Sequence, residues 1–149
     1  MNRLSNFWKG RQLIFKAELA LILAGLLISV YLTAYHYIAN VPLACPNKGI
    51  INCQGVLSSQ FAMIFGLPTA FYGFLFFAML LYLFAIRNSL KFYLSFIGIL
   101  FVIYLLHDEY VLGEICEYCT AVHIITVAIF VIELYAFQSA GSKPSLGSS

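Results

Sequence analysis

The chain has 149 residues, 62% of them hydrophobic and 9% charged, with a formal net charge of +2. Soluble domains carry about 25% charged residues, so this composition excludes a water-exposed globular fold and reads as one compact integral membrane domain. The small charge offers nucleic acid no basic patch, and the chain holds no internal repeat, no Gly-rich phosphate loop and no Ser/His/Asp arrangement at a recognisable spacing.

In chain order, residues 1–16 form a basic lead with Arg3, Lys9, Arg11 and Lys16, and resemble a signal-peptide n-region. The apolar run over 19–39 is too long for a cleaved signal and suits an uncleaved first transmembrane helix, since crossing the hydrocarbon takes about 20 residues. Leu43-Ala44-Cys45 resembles a lipoprotein cleavage site, but Pro42 stands where such sites carry Leu. Trp8 suits one membrane interface, and Tyr31, Tyr35 and Tyr37 the other. Residues 40–59 are a loop, because Pro42, Pro46, Asn47, Gly49, Asn52 and Gly55 break regular helix over most of it. A short interfacial helix is expected over 54–65, ended by Gly66-Leu67-Pro68, with Pro68 in the first turn of a second span over 67–86. A positive turn at 87–91 leads into a third span over 92–106, continuing as helix through His107, Asp108 and Glu109. The fourth span covers 116–137, and 139–149 is a Ser/Gly-rich tail expected to be disordered. The domain is thus residues 1–138.

Four spans place both termini and the 87–91 turn on one side. Seven of the eight Lys/Arg residues lie there, against Lys48 opposite, and this bias marks the cytoplasmic side of an inner, multi-pass membrane protein. All four cysteines, with Asp108, Glu109, Glu114 and Glu117, then fall on the outer side.

Cys116 and Cys119 have C-x-x-C spacing at the expected start of the fourth helix. Unpaired N–H groups and partial positive charge at a helix N-terminus favour a thiolate. Two structural bridges or a zinc site are the alternatives. The seven residues between Cys45 and Cys53 suit a zinc knuckle poorly, and C-x-x-C is the spacing of thiol–disulfide exchange. A redox relay is the stronger reading, with its resting disulfide pairing open among three possibilities. An acceptor that fits a dithiol at the bilayer edge is a quinone, and a fitting donor is another protein's dithiol.

These residues resemble the vitamin K epoxide reductase family over about residues 20–137. The resemblance rests on Ser29-Val30-Tyr31, Cys45-x7-Cys53, Ser59, Phe65-Gly66-Leu67-Pro68 with Gly73, and Cys116-Glu117-Tyr118-Cys119-Thr120. It implies an all-α membrane fold: a four-transmembrane-helix bundle around a quinone of ubiquinone or menaquinone type, capped by the first loop and its short helix. It also implies roles. Cys45 meets a thioredoxin-like partner, supplied as a separate chain; Cys53 passes electrons to Cys116; Cys119 delivers them to the quinone. Ser59 matches the family's Ser/Thr near the relay, where it bonds a sulfur, orients the loop or merely caps a helix. His123 stands four residues after Cys119, where vertebrate members carry a quinone-contacting Tyr. On a helix, Cys116, Cys119 and His123 share one face, so His123 is a candidate quinone ligand or proton donor, against a packed histidine.

Other polar residues read more plainly. His36 lines the pocket or sits in the interface, and His107 and Asp108 cap the third span. Glu18 pairs with Lys16 in solvent, and Glu133 snorkels or pairs at the inner surface. A DsbB-type disulfide oxidase shares the chemistry but carries C-x-x-C in its first outer loop. A small multidrug exporter would use Glu18 and no cysteines, and a non-catalytic scaffold would use the cysteines as staples.

Overall fold

The structure, a computed structural model, describes residues 2–38, 42–45 and 48–141, excepting the side chains of 2–9 and 140–141. The side chains of Arg3, Trp8 and Lys9 lie outside that description, as do Pro46, Asn47 and the tail from residue 142 with Lys143. Four long helices, α1 (Asn2–Tyr37), α3 (Thr69–Ala85), α4 (Leu90–Leu112) and α5 (Glu117–Gly141), pack in a ring in which α1 meets α3 and α5, and α4 meets the same two. Among the described residues, three stretches are long and apolar enough to cross a membrane: Gly10–Tyr37, Leu90–Leu112 and Glu117–Ser139. The fourth apolar helix, α3, has 17 residues. Their outward faces carry Leu27, Met79, Ile97, Ile103 and Ile124 exposed, a surface that hydrocarbon solvates and water does not.

Element positions follow local chemistry. Helix α4 runs past His107 and Asp108 to Leu112, so neither residue caps it; Gly113 ends it in the left-handed conformation (φ 67°), which glycine adopts without a Cβ penalty. The helix expected over 54–65 is broken. Helix α2 spans Cys53–Ser58, and a 3₁₀ turn follows at Gln60–Ala62. Ser59 causes the break. Its backbone is extended, its N–H closes α2 on Val56 O, and its hydroxyl accepts the Ala62 N–H. Strands β1 (Met63–Ile64) and β2 (Leu67–Pro68) then form a hairpin. Its turn residues Phe65 (φ 51°) and Gly66 (φ 80°) both have positive φ, the mark of a two-residue type I′ turn. Pro68, expected inside the next helix, caps it instead.

Small residues let the helices approach. The Ser29 side chain of α1 faces Gly73 of α3, and the Phe77 ring covers Gly25 so closely that a Cβ there would collide with it. Phe77 is fully buried among Ile22, Leu80, Phe84 and Ile129. Gly25→Ala is therefore expected to cost roughly 1–3 kcal/mol by overpacking, read as a lower melting temperature in detergent. An unchanged melt would mean that the ring can move.

At the end of the bundle holding the 87–91 turn, Lys91 Nζ lies 2.7 Å from Glu18 Oε1 and 2.7 Å from Glu133 Oε1. Both carboxylates are buried. This corrects the solvent pairing expected for Glu18 with Lys16. Instead, α4 supplies one ammonium to carboxylates from α1 and α5, which keeps neither charge unpaired in a medium that penalises it.

Candidate functional site

The first loop is strapped to the segment that opens α5. Ile51 bridges Ile115 in parallel: Ile115 N–H donates to Ile50 O at 2.8 Å, and Asn52 N–H to Ile115 O at 3.1 Å. Asn52 also caps α2 by accepting the Gly55 N–H at 2.9 Å, while its amide donates to Glu114 Oε1 at 3.0 Å. The Glu114 carboxylate lies over Gly55, leaving no room for a Cβ. Cys53, first residue of α2, follows Asn52 directly and Cys116, last residue before α5, follows Ile115 directly, so the strap holds the residue before each cysteine, and both cysteines are fully buried. Asn52→Ala should cost about 1 kcal/mol through the lost cap, read as a lower melting temperature in detergent. A melting temperature equal to wild type would show the clamp to be idle.

Two tyrosines hold the arm before Cys45. Tyr31 Oη donates to Pro42 O at 2.6 Å and accepts the Ala44 N–H at 3.2 Å; Tyr118 Oη donates to Ala44 O at 2.7 Å. Their rings pack 5.5 Å apart. In sequence Tyr31 reads only as an interfacial aromatic and part of the family pattern. Its bonding to the arm depends on a chain reversal that local patterning does not encode.

Cys45 and Cys53 are joined by a disulfide, with Cα atoms 6.2 Å apart. Cys116 and Cys119 are free thiols. Cys116 occupies the N-cap position of α5, where its Sγ accepts the Cys119 N–H at 3.4 Å and its carbonyl begins the helical ladder at Thr120. The Cys116 thiol is held below its ordinary value. The hydrogen bond to the Cys119 thiol contributes most, and the N–H groups of Cys119 and Tyr118 add to it, while burial and the Glu109 charge oppose.

Cys119 and His123 both reach a cavity of about 320 Å³ between the helices. Its walls are apolar, with Phe76, Phe77, Phe101 and Val102 among them, and Ser29 and Thr126 supply hydroxyls. Leu75, Met79 and Ile97 line the cavity and are also exposed on the outer face of the bundle. His123 is buried, and neither ring nitrogen has a hydrogen-bond partner. A cavity of this size and character suits a small flat apolar ligand with one hydrogen-bonding end.

Ser59 stands apart from the cavity. Its hydroxyl donates to Val56 O at 2.8 Å and accepts the Ala62 N–H at 3.2 Å, so its hydrogen bonds go to backbone. It borders a smaller void of about 40 Å³, shared with Cys119, His123, Asp108 and Glu109. His36 is exposed and packs edge-on against Tyr37, away from the cavity.

The family model described as the vitamin K epoxide reductase family matches residues 17–134. The chain belongs to that family. No curated protein matches it. As a vitamin K epoxide reductase family member, it is a multi-pass membrane thiol oxidoreductase that works through cysteine pairs. The matched range spans both pairs, the cavity and the two tyrosines of the arm.

Proposed function

We propose that this member of the vitamin K epoxide reductase family oxidises a separate, exported thioredoxin-like protein and passes two electrons to a membrane quinone. The observation that carries this reading is Cys119. It is a free thiol that shares an apolar cavity with His123, while Cys116 and Cys53, both fully buried, each follow directly on a residue of the backbone strap between Asn52 and Ile115.

Cys45, half-buried on the arm, takes the partner's thiolate and forms the mixed disulfide. Release of the oxidised partner leaves Cys45 and Cys53 reduced. Cys53 then attacks Cys116 of an oxidised Cys116–Cys119 pair, Cys45 resolves the bond, and the second pair becomes a dithiol. The quinone accepts the two electrons and two protons of that dithiol. The phenylalanines of the cavity hold the ring and exclude water, Cys119 faces it, and His123 offers the N–H that binds an oxygen. Ser59 orients the loop through its backbone hydrogen bonds.

Four crossings, with α3 as the short one, put both termini and the Lys91 end in the cytoplasm and the cysteines on the outer face of the cell membrane. The Lys/Arg bias supports that orientation. Residues 1–138 act as one domain, with a polar tail beyond.

The test uses the purified full chain with a reduced thioredoxin-like donor and a soluble quinone. Donor disulfide and quinol should form in equal amounts over many turnovers. No turnover with several donors and several quinones would overturn the proposal.

A further inference from the structure

Closing the Cys116–Cys119 disulfide releases two electrons and two protons, and the acceptor takes up both. The electrons have a direct route through Cys119. The protons must cross a region walled by hydrocarbon, and the cysteines themselves provide no carrier.

The smaller void supplies one. Asp108 and Glu109 of α4, Ser59 of the loop, and Cys119 and His123 of α5 all border it. Its volume of about 40 Å³ exceeds the 10–15 Å³ or so that one water needs. Asp108, Glu109 and His123 are each more than nine-tenths buried. Asp108 Oδ2, Glu109 Oε1 and both ring nitrogens of His123 lack hydrogen-bond partners. Buried polar groups left this way are costly, and several converging on one void mark it as a place for water and protons. His123 also lines the main cavity, so it connects the two spaces. The two acids differ in their surroundings. Asp108 is engaged from its own helix by Tyr104 and by His107, whose Nδ1 lies 3.7 Å from Oδ1. Glu109 instead meets the backbone N–H of Cys116 across the helix gap.

We infer that Glu109 is the proton acceptor for the Cys116–Cys119 dithiol, handing each proton through water in this void to His123 and onward to the quinone oxygens. This rests on the quinone-reducing function proposed above. In balance, two S–H bonds break, one S–S bond and two quinol O–H bonds form, and two electrons move from sulfur to the quinone. Glu109 and His123 end each cycle as they began. Of the other titratable groups, Asp108 on α4 and Cys119 on α5 border the void, Tyr104 and His107 touch Asp108 from the outer side of α4, and Cys116 meets Glu109 through its backbone N–H.

The experiment reduces the full chain in lipid nanodiscs, removes the reductant, and mixes it with a soluble quinone in a stopped-flow instrument. Glu109→Gln should slow single-turnover quinol formation by about 100-fold. It should also flatten the rise of the wild-type rate with pH, because the amide cannot ionise to accept a proton. Glu109→Asp, which keeps a carboxylate, should stay within about tenfold of wild type and retain the pH dependence. It also keeps the test open if Glu109→Gln does not fold, because loss of the pH dependence in Glu109→Asp overturns the inference. Glu109→Gln with the wild-type rate and pH profile overturns it too. A wild-type protein that reduces no quinone removes both this inference and the function beneath it. A wild-type protein that reduces quinone beside an unimpaired Glu109→Gln removes this one alone.

Discussion

Cys119→Ala is expected to bring quinone reduction below detection, a loss of at least about 10⁴-fold of the kind seen when a reacting side chain is removed. Among the described residues, Cys119 is the cysteine that lines the large cavity. Cys116 is fully buried behind it. In the proposed relay, with Cys119 gone, Cys116 cannot form the disulfide that hands electrons to the cavity, and its remaining intramolecular partner is Cys53, which leads back to the first loop. The side chain is half-buried and makes no hydrogen bond that the fold depends on, so the melting temperature should stay near that of wild type. Quinol formation after reduction of the protein is the measurement. A folded Cys119→Ala protein that still turns over with donor and quinone would mean that electrons leave from another sulfur, and the order of the relay would have to be reversed.

Lys91→Ala should have the largest effect on stability, about 3–5 kcal/mol. Lys91 bridges Glu18 and Glu133 at 2.7 Å each, and its side chain is only 20% exposed. Removing the ammonium leaves two buried carboxylates facing each other with no cation between them. Glu133→Gln removes only one partner, and Lys91 still has Glu18, so this variant should lose far less. Thermal unfolding of both variants in the same detergent reads the difference. Equal losses would mean that each carboxylate is held independently and that the cluster does not act as a unit.

Much of the architecture is visible in the sequence because a bilayer imposes simple rules. Apolar runs of about 20 residues must be helices, Pro68 stands at the start of α3, and Gly113 ends α4. Cys119 and His123 share a cavity because four residues on a helix return to the same face, a purely local relation. The misreadings are nonlocal or hinge on one backbone angle. Glu18 and Lys91 are 73 residues apart, and Asn52 and Glu114 are 62 apart, so no pattern within either segment announces the pairing. The break at Ser59 turns on one residue adopting an extended conformation inside a stretch whose composition also allows helix. Asp108 and Glu109 look like ordinary polar residues at a helix end. Only the packing of α4 against α5 and the first loop buries them beside sulfur.

The exposed positions of Leu75, Met79 and Ile97 have a kinetic consequence. A cavity whose wall is also the outer face of the bundle is reached sideways, from among the lipids. Its ligand is then counted per lipid molecule, not per litre of water. Diluting a suspension of vesicles at fixed composition should leave the rate of each protein unchanged, whereas adding empty lipid to the same vesicles should slow it. If the proposed quinone is its acceptor, what the protein senses is the crowding of that quinone within two dimensions.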